Sequence, residues 1–279
     1  MKGDIPTLVK WAGGKKQLIG QFELYFPKKI ERYIEPFVGG GAVAFHIIKK
    51  YEPKEVIISD INEELINAYN VVKTDVENLI PLLKKYKEKH SKEEFYKIRE
   101  IDQNTLSNLE KAARFIYLNK TCFNGLYRVN SKGKFNVPIG SYKNPNICSE
   151  KELREISELM QNVTAKVMSF ERTLEFAKKG YFVYFDPPYY PLKRESFTTY
   201  AKGNFLEEEQ KSLASIFNNL HKNKCKLMLS NSDTEFIKKL YKSHNINFVQ
   251  ATRMINSNAA KRGKINEVLV TNYKNGSSK

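Results

Sequence analysis

Short apolar runs alternate with amphipathic stretches along most of this chain, which makes it an α/β protein with a mainly parallel sheet. Two observations qualify that. Between about residues 81 and 149 no buried-strand pattern occurs, so a mostly helical block interrupts the alternation. The last two strand candidates lie close together without a helix between them. They are expected to pair antiparallel at the far edge of the sheet.

Strands are expected at residues 33–38, 56–59, 163–168, 181–185, 226–230, 247–251 and 268–273, all rich in β-branched or aromatic residues. Helices are expected at 41–51, 62–74, 206–221 and 234–241, where apolar residues recur at helical spacing. Within the insertion, Ser91-Lys92-Glu93-Glu94 and Ser149-Glu150-Lys151-Glu152 match a capping box, and residues 112–118 are apolar at helical spacing. The polar stretch from Asn124 to Pro138 holds a Ser131-Lys132-Gly133 turn between two short extended pieces, which reads as a hairpin. Residues 1–80 with 150–279 are then one domain and 81–149 a second. The tail, 275–279, reads as disordered.

Among 279 residues, 47 are Lys or Arg and 31 Asp or Glu, for a formal net charge of +16. Such an excess points to a polyanion, nucleic acid before an acidic membrane surface. No apolar run approaches a membrane span, and the N-terminus lacks the apolar core of a secretory signal. The three cysteines, Cys122, Cys148 and Cys225, are scattered without metal-ligand spacing, and the four histidines form no pair. No metal site is expected, and a reducing cytoplasm fits best.

Four constellations carry chemistry. Asp186-Pro187-Pro188-Tyr189 follows the aromatic run Tyr181-Phe182-Val183-Tyr184-Phe185. Two prolines cannot continue a ladder, so a carboxylate is held at the carboxyl end of a strand beside an aromatic ring. That edge suits a flat, hydrogen-bonding group such as a nucleobase. Glu35-Pro36-Phe37-Val38-Gly39-Gly40-Gly41-Ala42 is a strand, a glycine turn and a helix start, with Asp60 at the end of the next strand about twenty residues on. The spacing is that of a nucleoside site, with the acid on the ribose hydroxyls. It is not the dinucleotide fingerprint, and Glu35 would repel a pyrophosphate; a ligand with a positive centre fits better. Lys10-Trp11-Ala12-Gly13-Gly14-Lys15 presents the chain's one indole, either as a face for a purine or cation or simply packed on the domain.

The fourth is the basic hairpin, where Lys120, Arg128, Lys132, Lys134 and Lys143 surround Asn124, Asn130, Asn136, Tyr127 and Tyr142. Arg and Asn suit base edges and lysines suit phosphates, so DNA contact outweighs a merely solvated loop. A second basic loop, 252–266, carries Arg253, Asn256, Asn258, Lys261, Arg262 and Lys264. The segment 193–200 is rich in side chains that bind phosphates and is placed to close over a base.

Together, residues 10–15, 35–42, Asp60 and 186–189 resemble the ordered motifs of the Dam-type (α-group) DNA adenine-N6 methyltransferases. More narrowly, the chain is similar to the GATC-specific adenine methylases of restriction–modification systems. Asn124-Gly125-Leu126-Tyr127-Arg128 and Phe135-Asn136-Val137-Pro138 look like that group's target-recognition hairpin, and the resemblance runs from Lys10 to Tyr273. It implies a Rossmann-like class I methyltransferase sheet with an antiparallel edge strand, and a target-recognition insertion with a β-hairpin. It implies S-adenosylmethionine at Trp11, Ala12, Gly13, Lys15, Glu35, Phe37, Gly39, Gly40, Gly41, Asp60, Ile61, Phe170 and Asp186. Gly39–Gly41 would lie beneath the cofactor and Phe170 beside its adenine. DNA would meet Lys10, Asn124, Leu126, Tyr127, Arg128, Lys134, Asn136, Pro138, Tyr142 and Lys143. Asp186, Pro187, Pro188 and Tyr189 would do the chemistry. Tyr189 would stack on a flipped adenine, while the Asp186 carboxylate and Pro187 carbonyl accept its N6 hydrogens. The partner would be double-stranded DNA, with single strands not excluded, and a restriction endonuclease linked by function rather than by a stable complex. The rivals are cytosine-N4 or RNA-adenine methylation, and a non-catalytic DNA-binding module.

Overall fold

The computed structural model describes residues 5–192, 205–252 and 264–274. The segment 193–200, most of the basic loop 252–266 and the tail 275–279 lie outside the described residues. The strands are β1 (Arg32–Glu35), β2 (Glu55–Asp60), β3 (Val163–Val167), β4 (Phe182–Phe185), β5 (Lys226–Ser232), β6 (Asn245–Thr252) and β7 (Lys264–Thr271). They lie in the order β3-β2-β1-β4-β5-β7-β6. β1 pairs parallel with β2 and β4, and β4 with β5, whereas β7 runs antiparallel between β5 and β6. The expected antiparallel pair is present, with β7 inserted inside the edge. Strand order reverses between β1 and β4, the kind of switch point where α/β sheets bind ligands at their carboxyl ends.

Of the strand boundaries that differ from expectation, two have clear reasons. β1 stops at Glu35 because Pro36 has no N–H for the ladder. β5 continues past Ser230 through Asn231 and Ser232, polar residues beyond the expected strand, because β7 pairs with both.

The helices are α1 (Ile19–Phe22), α2 (Ala42–Tyr51), α3 (Glu63–Glu88), α4 (Lys92–Glu100), α5 (Asn108–Thr121), α6 (Glu150–Leu159), α7 (Thr173–Phe176), α8 (Glu207–Lys222) and α9 (Glu235–Leu240). α3 starts as expected, with Asn62 accepting from the Leu65 N–H, but runs on past residue 74 with Asp75 off helical geometry and Pro81 inside. Ser91 caps α4 through the Glu94 N–H, whereas Ser149 precedes α6 without a side-chain cap. The reciprocal capping box is at Ser107 and Glu110, opening α5.

The chain forms two compact units. One takes in the segment up to Gly14, Gly39–Lys49 and Asp60–Val167. Its core includes Phe95, Ile98, Tyr117, Leu118, Phe135 and Val137. The other holds Lys15–Val38, Lys50–Ser59 and the described residues from Met168 onward. There α8 buries Leu213, Phe217 and Leu220 with Val183, Phe185 and Leu227 of the sheet. Each such side chain contributes about 1.5–3 kcal/mol of burial free energy. Among the described residues no helix is long and apolar enough to cross a membrane, and no cluster suits a metal ion.

Candidate active site and recognition hairpin

In the unit that holds β4, all four residues of that strand are buried, which fixes the position of Asp186 just beyond it. Asp186 is 18% exposed and forms an ion pair with Lys15, its Oδ1 2.8 Å from Nζ. The same oxygen accepts a hydrogen bond from Ser230 Oγ at 2.8 Å, and Ser230 Oγ lies 2.8 Å from the Tyr184 hydroxyl. Burial and then the Asp186 charge raise the Tyr184 hydroxyl well above its ordinary pKa. It therefore stays protonated and donates to Ser230, completing a Tyr184–Ser230–Asp186 chain. Lys15, 5% exposed, also stands 4.7 Å from the Tyr189 ring centroid, so its ammonium faces both members of the tetrapeptide.

The Tyr189 hydroxyl donates to Glu267 Oε2 at 2.7 Å. Burial, Asp186 and Glu267 all keep it protonated. Pro187 is buried and Pro188 exposed, with the Pro188 carbonyl held by Gln210. Glu35 is buried and accepts from the Tyr33 hydroxyl at 2.7 Å. Phe170 is buried with its ring stacked on Phe37 at 5.5 Å, and Phe205 packs against both. One face of Phe170 is thus already covered.

The other unit carries the glycine turn. Asp60 accepts from the Gly39 N–H at Oδ2 (3.3 Å) and from the Asn62 N–H at Oδ1 (3.0 Å), which fixes its plane. Burial raises its pKa, only partly opposed by those backbone bonds. Gly39 has φ +47°, and a Cβ there would stand 2.5 Å from Trp11 Cδ1. Trp11 therefore lies directly on the turn, and only glycine allows it. Gly40 packs against the Val9 carbonyl, while the Tyr69 hydroxyl donates to the Gly39 carbonyl at 2.8 Å. Gly41 is buried, Ala12 and Gly13 are exposed, and Ile61, 75% exposed, leaves an apolar side chain beside Asp60.

The expected hairpin is present. Val129 and Phe135 bridge antiparallel, and the Asn130 side chain accepts from the N–H groups of Lys132 and Lys134, closing the turn. Arg128 Nε donates to Asn136 Oδ1 at 2.7 Å across it. Leu126, Arg128, Lys134, Pro138, Tyr142 and Lys143 are exposed, and Asn124 is partly so. Lys10 Nζ sits 3.7 Å over the Tyr142 ring. Asn119 accepts from the Lys10 N–H and donates to the carbonyls of Lys10 and Gly125. Gly125 has φ +62°, and a Cβ there would meet Lys10 Cβ at 2.4 Å. Tyr127 faces inward, stacked on Trp11 at 6.0 Å with a 22° interplanar angle. Burial and Glu64, which it hydrogen-bonds, raise its hydroxyl pKa.

Ser230, Asn231, Gln210, Glu267 and Asn119 were not among the residues singled out from the sequence. The one available signal was polar residues ending the otherwise apolar strand β5.

Residues 11–255 match the family described as D12 class N6 adenine-specific DNA methyltransferase. The chain is 48% identical to "Type II methyltransferase M.MjaIII" of Methanocaldococcus jannaschii, over 97% of this chain and 100% of that protein. It is 42% identical to "Type II methyltransferase M1.LlaDCHI" of Lactococcus lactis subsp. cremoris, over 98% of each. It is 38% identical to the "DNA adenine methylase" of Haemophilus influenzae, over 94% of this chain and 91% of that one. With a carboxylate and an aromatic ring poised beyond β4, and relatives that span nearly its whole length, the chain belongs to the D12 class of N6 adenine-specific DNA methyltransferases.

Proposed function

We propose that this chain methylates N6 of a flipped adenine in GATC with S-adenosylmethionine as donor, as the cytoplasmic modification enzyme of a type II restriction–modification pair. The observation that carries the reading is Asp186, held through one oxygen by Lys15 and Ser230. The other oxygen is the one we assign to the substrate amino group.

Residues of the glycine turn fit the proposed donor. Asp60, held by the Gly39 and Asn62 N–H groups, is expected to accept ribose hydroxyls, and its carboxylate favours a cationic ligand over a phosphate. When bound, the donor supplies an electrophilic methyl carbon on a sulfonium. The protein's part is positioning and hydrogen bonding. Tyr189, tethered by Glu267, offers its ring to the extruded base. The Asp186 carboxylate and the Pro187 carbonyl accept both N6 hydrogens, drawing the nitrogen towards tetrahedral geometry and freeing its lone pair. Methyl transfer onto a mixed duplex pool, followed by mapping of the modified base, tests this. Modified cytosine, or adenine outside GATC, overturns the corresponding part.

Asp60→Ala is expected to weaken S-adenosylmethionine binding by about 1.5–3 kcal/mol, measured by calorimetry. In the native protein, affinity should fall with acidification at a pH above the ordinary carboxyl value of 3.8, because burial raises Asp60. The variant should lose that pH dependence. Unchanged affinity in Asp60→Ala would make Asp60 a surface acid only.

Arg128 is assigned to a base edge and Lys134 and Lys143 to phosphates. A guanidinium engages guanine O6 and N7 together, whereas an ammonium is a point charge. Asn136 already orients that guanidinium. Arg128→Ala is expected to cost about 1–3 kcal/mol of discrimination at one base position. Lys134→Ala should weaken all duplexes alike and reduce the salt slope by about one. Competition between GATC duplexes and single-base variants at several salt concentrations reads both. Equal loss on every duplex in Arg128→Ala would show that it holds phosphate instead.

A further inference from the structure

Neither Pro187 nor Pro188 has an N–H, so the tetrapeptide has few main-chain donors with which to anchor itself. Buried side chains from outside do it instead. Gln210 of α8 donates from Nε2 to the Pro188 carbonyl at 3.0 Å. Asn231 of β5 accepts at Oδ1 from the Tyr190 N–H at 3.1 Å and donates from Nδ2 to Gln210 Oε1 at 3.0 Å. Ser232 Oγ donates to the Tyr190 carbonyl at 2.7 Å. Gln210 and Asn231 are both 0% exposed. Two buried amides cost desolvation free energy that apolar side chains at these positions would avoid. Each spends one end on the other amide and one end on the loop, gripping the main chain on either side of Tyr189.

We propose that Gln210 and Asn231 are positioning residues for methyl transfer. As an amide pair they set where the Asp186 carboxylate and the Tyr189 ring stand. The proposal rests on reading Asp186–Tyr189 as the catalytic loop. Ångström-scale displacement of such a loop is expensive in rate even where binding survives. Their hydrogen bonds go to the main chain of Pro188 and Tyr190, and their effect on the carboxylate passes through it.

The test is single-turnover methylation of unmethylated plasmid DNA with tritiated S-adenosylmethionine, with cofactor affinity measured by calorimetry. Asn231→Ala is expected to lower the rate about 100-fold while changing cofactor affinity less than about threefold. Gln210→Glu has nearly the same shape and adds a pH signature. Its protonated carboxyl donates to the Pro188 carbonyl and accepts from Asn231, as the amide does, whereas the carboxylate opposes acceptor to acceptor. Burial raises that carboxyl's pKa, so its rate relative to the native protein should rise as pH falls, by up to about tenfold per pH unit. A merely structural role would give parallel pH profiles. Asp186→Ala in the same assay separates the two readings. If it keeps the native rate, the catalytic reading itself fails. If it is inactive while Asn231→Ala stays within about twofold of native, or Gln210→Glu runs parallel to native in pH, the clamp alone is overturned. Should Asn231→Ala not fold, the isosteric Gln210→Glu decides.

Discussion

Asp186→Ala is expected to lower the single-turnover rate by about 1,000-fold or more, the scale of removing a preorganised polar group from a transition state. The side chain stands just beyond a fully buried strand, with one carboxylate oxygen committed to Lys15 and Ser230. Removing it takes away the proposed acceptor for the amino hydrogens and leaves the Lys15 ammonium without that carboxylate. The melting temperature should therefore drop as well, by the equivalent of about 1–3 kcal/mol, while the circular dichroism spectrum remains native. Asp186→Asn separates the two effects. It retains the shape and an oxygen for Lys15, so most of the stability should return, but an amide accepts more weakly and activity should stay severely impaired. Near-native turnover in Asp186→Ala would remove the mechanism.

Arg114→Ala should be the most destabilising single change outside that loop. Arg114 is 2% exposed, donating to the carbonyls of Ile98 (3.0 Å) and Arg99 (2.7 Å) and pairing with Glu64 at 3.4 Å. It thereby closes the last turn of α4, where carbonyls lack intrahelical donors. Glu64 opens α3 and also bonds Tyr127 of the hairpin. Deleting the guanidinium takes a charged donor from two carbonyls and leaves Glu64 with only neutral hydrogen-bond partners, at an expected cost of about 3–5 kcal/mol by chemical denaturation. Arg114→Lys should recover less than half, because one ammonium cannot reproduce the fork.

The pH dependence has a definite sign. Burial already raises the Glu64 pKa above 4.5, against the lowering effect of Arg114. A raised folded-state pKa means stability present below the unfolded value and lost as pH rises through the folded one. Without Arg114 the pKa rises further, so the variant's deficit should grow as pH rises above the ordinary carboxyl value of 4.5. A deficit under about 1 kcal/mol at neutral pH would show that water replaces the guanidinium.

By itself the sequence determined whatever depends on near neighbours along the chain. The alternation of apolar runs marked the strands, because side-chain burial follows local periodicity. Pro187 and Pro188 marked a stop beyond a buried strand, because a residue without an N–H cannot extend a ladder. The Ser131-Lys132-Gly133 turn marked the hairpin, although Asn130, one residue earlier, closes it. Only the tertiary structure decided which distant residues meet. Lys15, expected with Trp11 at the cofactor, pairs with Asp186, a residue far along the chain. Asn231 lay beyond the expected strand 226–230, since polar side chains inside β5 are tolerated only where a neighbouring loop satisfies them. That neighbour exists because β4 and β5 lie side by side in the sheet. Gln210 looked like one more polar position on an amphipathic helix until α8 brought it to the Pro188 carbonyl. Strand order and helix placement are settled by the packing of the whole core, which no local pattern encodes.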